Sequence, residues 1–372
     1  MTRQLWTFEA FDTLFFRESR PMETVGGTAL GSVFPPSPRT VVGAIRNAVG
    51  TAHHVNWADY AGAAHPLHAI IGKGDDLGPL SFGGPYLFTD KKPLYPMPLA
   101  VLWSSDKQTR LQPAKTPTET DLGWVRLPDK CDPKLIGASP KEQDWLTLDG
   151  LKQFLAGEPI GEKNWRAHKD LVDSEQRLGI GRDNQTGTVK EGLLYQTQHI
   201  RPRHSAGLSV GMTVNGLNTE NLPEHGVSRL GGEGRPAGWQ CNAATAITLP
   251  AVQKQTKARG LVLLLLTPAR FAQGWLPDGF VPVKKGDTDC WQGELKGIRL
   301  TLLCAVTGKP VREGGWDLVG KQPRALQSLV PAGSCYFCEV EGDMAHAQGT
   351  LHGLKIGADT VLGRGEIAVG YW

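Results

Sequence analysis

The sequence has little net charge, few cysteines and no long apolar run, and each absence excludes a class of protein. The strongest apolar run, Leu261–Leu266, is far shorter than the roughly 20 residues that a membrane-spanning helix needs. The first residues carry Glu9 and Asp12 in place of a basic stretch followed by an apolar one, so no signal peptide is predicted. We therefore expect a soluble, cytoplasmic protein without a membrane partner.

Charge and cysteine content limit the partners and the compartment. The chain has 372 residues, with 40 Lys and Arg against 37 Asp and Glu, so its formal net charge is only +3. An anionic partner must therefore be met by local clusters of basic residues. The six cysteines lack regular spacing, which favours a reducing compartment over a disulfide framework. The length is sufficient for about two domains, each with its own core.

The sequence also lacks a recognisable set of catalytic motifs. The sequence contains no phosphate-binding Walker loop, Rossmann fingerprint or nucleophile elbow. Cys335 and Cys338 form a lone C-x-x-C whose side chains point to opposite faces if they lie in a strand, so we predict structural cysteines. The acidic pairs at 75–76 and at 287 and 289 lie in Gly/Lys-rich loops, where solvated side chains are expected. We predict no metal and no cofactor.

Hydrophobic periodicity predicts strands with sparse helices between them. LWTFEAFDTLFF is apolar on both faces, as in a central strand. Ser37 and Pro38 suit a helix start, after which apolar residues recur at helical spacing until Gly50. Residues 104–145 form a polar insertion with little hydrophobic periodicity. EQRLGIGRDNQTGTVKEGLLYQTQHIRPR predicts a β-hairpin with its turn at residues 183–187. The pattern favours an α+β architecture of two ferredoxin-like (RRM-like) domains with long insertions.

Two features indicate an anion-binding surface. Basic residues line the hairpin at 175–201, although an ordinary solvated ribbon would look the same. Glycine-rich loops next to arginines occur before the first helix and again at 231–235 and 363–365. Such loops let the backbone approach a ligand closely, and a helix N-terminus adds unpaired N–H groups. Strand Arg259–Thr267 is aliphatic where a sheet-face RNA reader would carry aromatics, so RNA is expected on the loops.

Five blocks in the same order carry a family resemblance: FEAFDTLFFRESRPM, SVFPPSPRTVVGAIRNAV, EQRLGIGRDNQTGTVKEGLLYQTQHIR, LGGEGRPA and VLGRGEIAVGYW. Together they resemble the third subunit of type III-B CRISPR effector complexes, a member of the RAMP superfamily. The resemblance spans nearly the whole chain, except for the insertion at 104–145.

The resemblance implies a non-catalytic subunit that caps the 5-prime handle of the crRNA. It implies that the chain bridges the large polymerase-like subunit to the backbone RAMP subunits and meets target RNA only indirectly. It also implies two ferredoxin-like domains, at 1–225 and 226–372, with the hairpin at 175–201 acting as a thumb. The residues expected to bind RNA are Arg17, Arg20, Ser37, Arg39, Thr40, Arg46, Arg177, Arg182, Lys190, His199, Arg201, Gly232, Arg235, Gly363, Arg364 and Gly365.

Two alternatives stay open on the sequence alone. RAMP folds include metal-independent endoribonucleases that process crRNA by general acid–base chemistry, for which His53, His54, Tyr60 and His199 are candidates. The chain could also be a structural bridge with incidental RNA contact. Mixing the purified protein with labelled repeat RNA separates cleavage, binding without cleavage, and neither.

Overall fold

The computed structural model describes residues 3–19, 29–218, 222–243, 247–253, 257–317 and 320–372, with the backbone alone at 189–194 and 243. Its α-helices are α1 (Pro38–Ala52), α2 (Trp57–Tyr60), α3 (His68–Ile71), α4 (Leu148–Leu155), α5 (His168–Leu171) and α6 (Met344–Leu351). Short 3-10 turns occupy Glu162–Asn164, His204–Ala206 and Thr360–Leu362.

The strands are β1 (Gln4–Ala10), β2 (Ala29–Leu30), β3 (Ser81–Thr89), β4 (Lys92–Pro96), β5 (Val101–Ser104), β6 (Lys107–Pro113), β7 (Thr118–Thr120), β8 (Gly123–Val125), β9 (Pro128–Lys130), β10 (Ser139–Pro140), β11 (Trp145–Leu146), β12 (Trp165–Arg166), β13 (Val172–Arg182), β14 (Val189–Pro202), β15 (Leu208–Asn215), β16 (His225–Arg229), β17 (Pro236–Ala243), β18 (Leu261–Leu265), β19 (Val281–Lys285), β20 (Thr288–Leu295), β21 (Ile298–Val306), β22 (Val311–Glu313), β23 (Trp316–Asp317), β24 (Gln322–Pro323), β25 (Gln327–Leu329), β26 (Cys335–Val340) and β27 (Ile367–Tyr371). Strands thus predominate over a few short helices, which confirms the α+β class.

The chain folds as two compact units, each assembled from separated stretches. The first contains residues 1–91, 169–246 and 312–327, and the second contains 92–168, 247–311 and 328–372. No helix in the described part of the chain combines the length and apolar character needed to cross a membrane.

A sheet with strand order β3-β15-β1-β17-β16 forms the centre of the first unit. β1 pairs antiparallel with β15 on one side and with β17 on the other, which confirms the central strand predicted from its apolar faces. Trp6 of β1 is fully buried and stacks on Trp239 of β17, with 4.9 Å between the ring centroids. Interstrand aromatic pairs of this kind stabilise the register of a sheet.

Helix α1 follows the glycine- and proline-rich loop. The Ser37 side chain accepts a hydrogen bond from the Thr40 amide, and Pro38 begins the helix, as predicted. The predicted end at Gly50 is wrong, because the helix continues to Ala52. Gly50 is instead a packing position, since a Cβ there would lie 2.6 Å from the Trp57 ring.

Strands β13 and β14 form a long antiparallel ribbon in the first unit. Their register runs from Val172 opposite Pro202 to Arg182 opposite Val189, with an irregularity between Ile180 and Arg182. At its base, β14 also pairs in parallel with β2. Toward its tip the ribbon therefore consists of β13 and β14 alone.

The second unit is built on a sheet of order β19-β20-β21-β26-β18-β27. One core cluster of aliphatic and aromatic side chains includes Leu263, Leu302 and Tyr336, and helix α6 contributes Leu351 to it. The insertion at 104–145 carries strands of its own, of which β6, β9 and β10 join β5 in a small sheet. Lys141 anchors this segment, because its ammonium lies 3.5 Å from the Trp165 ring centroid and 4.6 Å from that of Trp103.

Candidate functional site

The base of the ribbon carries a cluster of three arginines and two carboxylates, which we call the Asp12 cluster: Asp12, Glu175, Arg177, Arg201 and Arg235. Asp12 lies in the bend after β1, and its carboxylate is 2.9 Å from both the Arg177 and the Arg201 guanidinium. Arg235 lies 3.5 Å from the same carboxylate. Glu175 pairs with Arg177 at 2.6 Å and with Arg201 at 2.5 Å.

Three of the sequence-predicted arginines are thus brought together from two distant parts of the chain. The three guanidiniums outnumber the two carboxylates, so the cluster has one surplus positive charge. Its side chains are between 23% and 42% exposed, which leaves them within reach of a ligand. Ion pairs at this exposure contribute little to stability, about 0–1 kcal/mol each, so a ligand anion can compete for the guanidiniums.

Mutual pairing keeps Asp12, Glu175, Arg177 and Arg201 ionised. The hydrogen bond from Arg177 holds the pKa of Asp12 below its usual range, and that from Arg201 does the same for the pKa of Glu175. Conversely, Asp12 raises the pKa of Arg177, and Glu175 raises the pKa of Arg201. The cluster therefore presents fixed charges at neutral pH.

His199 lies beneath this cluster and is only 1% exposed. Its Nδ1 is 2.9 Å from the Thr13 hydroxyl, its Nε2 is 3.1 Å from the Thr197 hydroxyl, and its ring stacks on Phe15. Burial, with Arg235 and Arg177 nearby, lowers its pKa, so the ring is neutral. The ring is therefore not open to solvent in this structure, and its contact with RNA stays a prediction.

The glycine loop after β16 positions Arg235. Gly231 has φ 84°, and a Cβ there would lie 2.4 Å from the Phe15 carbonyl oxygen. The Gly232 amide donates to the same oxygen at 2.8 Å, so it is engaged within the protein. Gly232 therefore acts as a structural tie in this conformation, and the guanidinium of Arg235 remains partly exposed.

The loop at 363–365 is packed inside the second unit. Gly363 (φ 96°) accepts a hydrogen bond from the buried Thr267 hydroxyl, and Gly365 (φ 69°) donates its amide to the Pro268 carbonyl. Arg364 is only 1% exposed. The guanidinium of Arg364 is therefore not open to solvent in this structure, and its contact with RNA stays a prediction.

Basic residues of α1 hold the neighbouring loop at 73–78. Arg39 lies 2.7 Å from Asp75, which is also 2.8 Å from Arg324. Arg46 donates to the carbonyls of Gly74 and Asp76, and burial lowers the pKa of its guanidinium. Arg46 is thus occupied within the fold, whereas Arg39 keeps a partly exposed, ion-paired guanidinium.

The other predicted residues lie apart from the cluster. Arg17 is exposed and forms no ion pair with a residue that the structure describes. Arg182 lies at the ribbon tip, where it donates to the Gly187 carbonyl at 3.1 and 3.2 Å. Ser37 and Thr40 form the N-cap of α1, with their hydroxyls 3.1 Å apart. Arg20 and the Lys190 side chain lie outside the described residues.

The candidate catalytic residues do not form a common site. The Tyr60 hydroxyl donates to the Gly72 carbonyl, and His199 is buried beside Thr13. His53 and His54 are exposed at the end of α1, and among the described residues no hydrogen bond or ring contact joins them to the other two. The described residues also contain no group of three or more His, Cys, Asp or Glu side chains placed to hold a metal ion.

Cys335 and Cys338 are both buried in strand β26, and burial raises the pKa of the Cys335 thiol to about 12. The pKa of Cys338 is raised for the same reason. Buried thiols with raised pKa values are unreactive, in agreement with the structural role predicted for the pair.

Sequence reasoning missed the carboxylates that organise these arginines. Asp12 lies in the segment FEAFDTLFFRESRPM, and Glu175 lies at the start of the predicted hairpin. Neither residue belongs to a motif that marks it as part of a binding site. Arg324 was missed because it meets Asp75 across 249 positions of sequence. The available signal for Asp12 was an acidic residue directly after a buried central strand.

The chain was also compared with known proteins. The family model for the CRISPR-associated protein Cas_Cmr3 matches residues 6–372. A cryo-EM structure of the Type III-B Cmr-beta bound to cognate target RNA and AMPPnP, state 1, is similar at 14% identity, covering 90% of this chain and 86% of that chain, with a TM-score of 0.47. A crystal structure of the Csm3-Csm4 subcomplex in the type III-A CRISPR-Cas interference complex is 10% identical, covering 91% and 94%, with a TM-score of 0.40. No curated protein matches the sequence.

Proposed function

The chain belongs to the CRISPR-associated Cas_Cmr3 family, and from this membership we propose that it is a non-catalytic, RNA-binding subunit of a type III-B CRISPR effector complex. In this proposal it caps the 5-prime handle of the crRNA and bridges the large polymerase-like subunit to the backbone RAMP subunits. Target RNA is met indirectly, through the assembled complex, in the cytoplasm.

The observation that carries the proposal is the Asp12 cluster. Three guanidiniums converge at the base of an extended ribbon, are partly exposed, and exceed the neighbouring carboxylates in number. Guanidinium groups fork onto phosphate oxygens through two parallel hydrogen bonds. An RNA backbone that runs along the ribbon base could therefore exchange one phosphate for the Asp12 carboxylate without moving the arginines far.

The ribbon itself is proposed to act as the thumb. Its tip is exposed and closed by its own contacts, because the Asp183 carboxylate accepts the amides of Gln185 and Thr186. A two-stranded ribbon with few core contacts is free to reach over a ligand or a neighbouring subunit. We also propose that the two compact units have ferredoxin-like folds.

RNA binding is tested with the full chain and labelled repeat-derived crRNA over a series of salt concentrations. Arg201→Gln and Arg235→Gln should weaken binding and flatten the salt dependence by about 0.7 per lost phosphate contact. Arg270→Gln is the matched control, because Arg270 is paired with Asp359 at 3.1 Å and is 36% exposed, but lies in the second unit. Equal affinity and slope for all three variants would contradict the proposal.

The same mixtures test the absence of catalysis. With and without Mg²⁺, the crRNA should stay intact over the time of the binding assay. Specific cleavage that His54→Ala abolishes would replace the proposal with the crRNA-processing endoribonuclease. An intact RNA that does not bind would leave a structural bridge.

A further inference from the structure

An exposed phenylalanine, Phe11, lies just after strand β1 in the first unit and directly precedes Asp12. The Phe11 amide donates to the Pro236 carbonyl at 3.5 Å, and Pro236 is paired with Arg229 on the edge strand β16. Residues opposite one another on adjacent strands share a face of the sheet. Phe11, Pro236 and Arg229 therefore form one cross-strand row.

The ring of Phe11 is exposed to solvent and lies next to Gly238. Phe11 is 63% exposed, and a Cβ on Gly238 would lie 3.3 Å from its ring. Val227, which is paired with Gly238, is 62% exposed on the same surface. Single exposed apolar residues are common on proteins, so the surroundings of the ring must decide what it does.

Those surroundings are cationic on one side. Arg229 is exposed and forms no ion pair with any residue in the described part of the chain. Arg235 directly precedes Pro236, and Asp12, which holds Arg235, directly follows Phe11. Glu9 lies two residues before Phe11, opposite Gly238, so a phosphate is expected on the Arg229 side of the ring.

An aromatic ring beside the exposed guanidinium of Arg229 suits a nucleotide. Single-stranded RNA is bound where bases stack on aromatic rings while basic groups follow the backbone. A protein partner fits less well, because a stable interface buries about 800 Å² on each side and this patch offers one ring and one valine. Resting on the RNA-binding function proposed above, we infer that Phe11 stacks on an unpaired base of the bound crRNA while Arg229 contacts an adjacent phosphate.

The test compares Phe11→Tyr, Phe11→Leu and Phe11→Ala in the full chain with labelled crRNA. Tyrosine keeps the aromatic face and should bind within about twofold of the native protein. Leucine and alanine lose it and should bind roughly 5- to 150-fold more weakly, the range for one base–aromatic stack. Trp124→Leu is the control, because Trp124 is an exposed aromatic residue (47%) in the insertion and its variant should bind normally.

A second measurement identifies the stacked base. A set of crRNAs, each lacking one handle base, is bound to the native protein and to Phe11→Ala. At one position, removing the base should weaken binding to the native protein by the same factor as Phe11→Ala weakens binding of the intact crRNA. Binding of Phe11→Ala to the crRNA that lacks this base should then be no weaker than either single change alone. Arg229→Gln should flatten the salt dependence by about 0.7.

The outcomes separate this inference from the function on which it rests. If the native protein does not bind crRNA, the proposed function fails. If it binds and Phe11→Leu binds equally well, the inference alone is wrong. If the leucine and alanine variants bind RNA normally but no longer co-purify with other effector subunits, the patch is a protein contact, and the inference is likewise overturned.

Discussion

Asp12→Asn tests whether the Asp12 cluster is an anion site that a carboxylate of the protein occupies. The substitution keeps the side-chain shape and removes one negative charge, so the surplus of the cluster rises from one positive charge to two. Arg177 and Arg201 would then pair with Glu175 alone, and Arg235 would lose the carboxylate that it contacts. We expect crRNA binding to become tighter and more dependent on salt.

The size of the effect follows from the charge that is removed. One unit charge about 4 Å from another is worth about 1 kcal/mol in a water-like dielectric, which corresponds to roughly fivefold in affinity. One additional phosphate contact would steepen the salt slope by about 0.7. The lost ion pairs are partly exposed, so the free energy of unfolding should fall by no more than about 1–2 kcal/mol.

The assay is a crRNA titration of the full chain at several salt concentrations, with the melting temperature measured on the same samples. Asp359→Asn is the matched control: it removes a carboxylate from an arginine pair in the second unit, and asparagine tolerates the left-handed backbone there (φ 57°). Weaker binding by Asp12→Asn, or a change that the control shares, would refute the reasoning.

Three further predictions concern packing, thiol reactivity and the ribbon. Gly50→Ala should lower the free energy of unfolding by about 1–3 kcal/mol through overpacking against Trp57. Gly43→Ala, whose added Cβ meets nothing within 4 Å, should raise the free energy of unfolding by about 0.5–1 kcal/mol. Chemical denaturation measures both changes, and equal effects would contradict the packing argument. In the folded protein a thiol reagent should label Cys131 first, because the other cysteines are buried, and prompt labelling of more than one thiol would be inconsistent with that burial. Replacing residues 183–188 by an Asn-Gly turn should leave the melting temperature nearly unchanged but impair co-purification of the effector complex, so an unaffected complex would reduce the ribbon to a surface hairpin.

Local signals were sufficient where structure depends on neighbouring residues. A strand within 5–16 was predictable from its two apolar faces, although β1 ends at Ala10. The start of α1 was predictable from Ser37 and Pro38, and the ribbon turn from its run of polar turn residues. Each of these features is determined within about ten residues, which is the range in which propensity and capping act.

The solvent exposure of an arginine next to a glycine turn was not predictable from the same signals. Arg235 and Arg364 each follow or interrupt a glycine turn, yet the first is partly exposed and the second is buried. The difference arises from what packs around the turn: Phe15 ties the first loop by its backbone, while Thr267 and Pro268 enclose the second. Such contacts join residues far apart in sequence, so a motif alone cannot show whether its guanidinium reaches solvent.

The neutral state of His199 has a consequence for how the candidate surface responds to acidity. Its pKa lies below the ordinary value near 6.5, so it stays uncharged in the folded protein where a free histidine would begin to titrate. Unfolding would release it to bind a proton more readily, so any stability it contributes is present above about pH 6.5 and declines as the pH falls below that value. Asp12, Glu175, Arg177 and Arg201 do not titrate near pH 6.5 either, because their pairing lowers the pKa of the two carboxylates and raises the pKa of the two guanidiniums. His199 therefore adds no charge to the Asp12 cluster near neutral pH, and mild acidification changes the charge of the cluster less through this residue than it would through a histidine exposed to water.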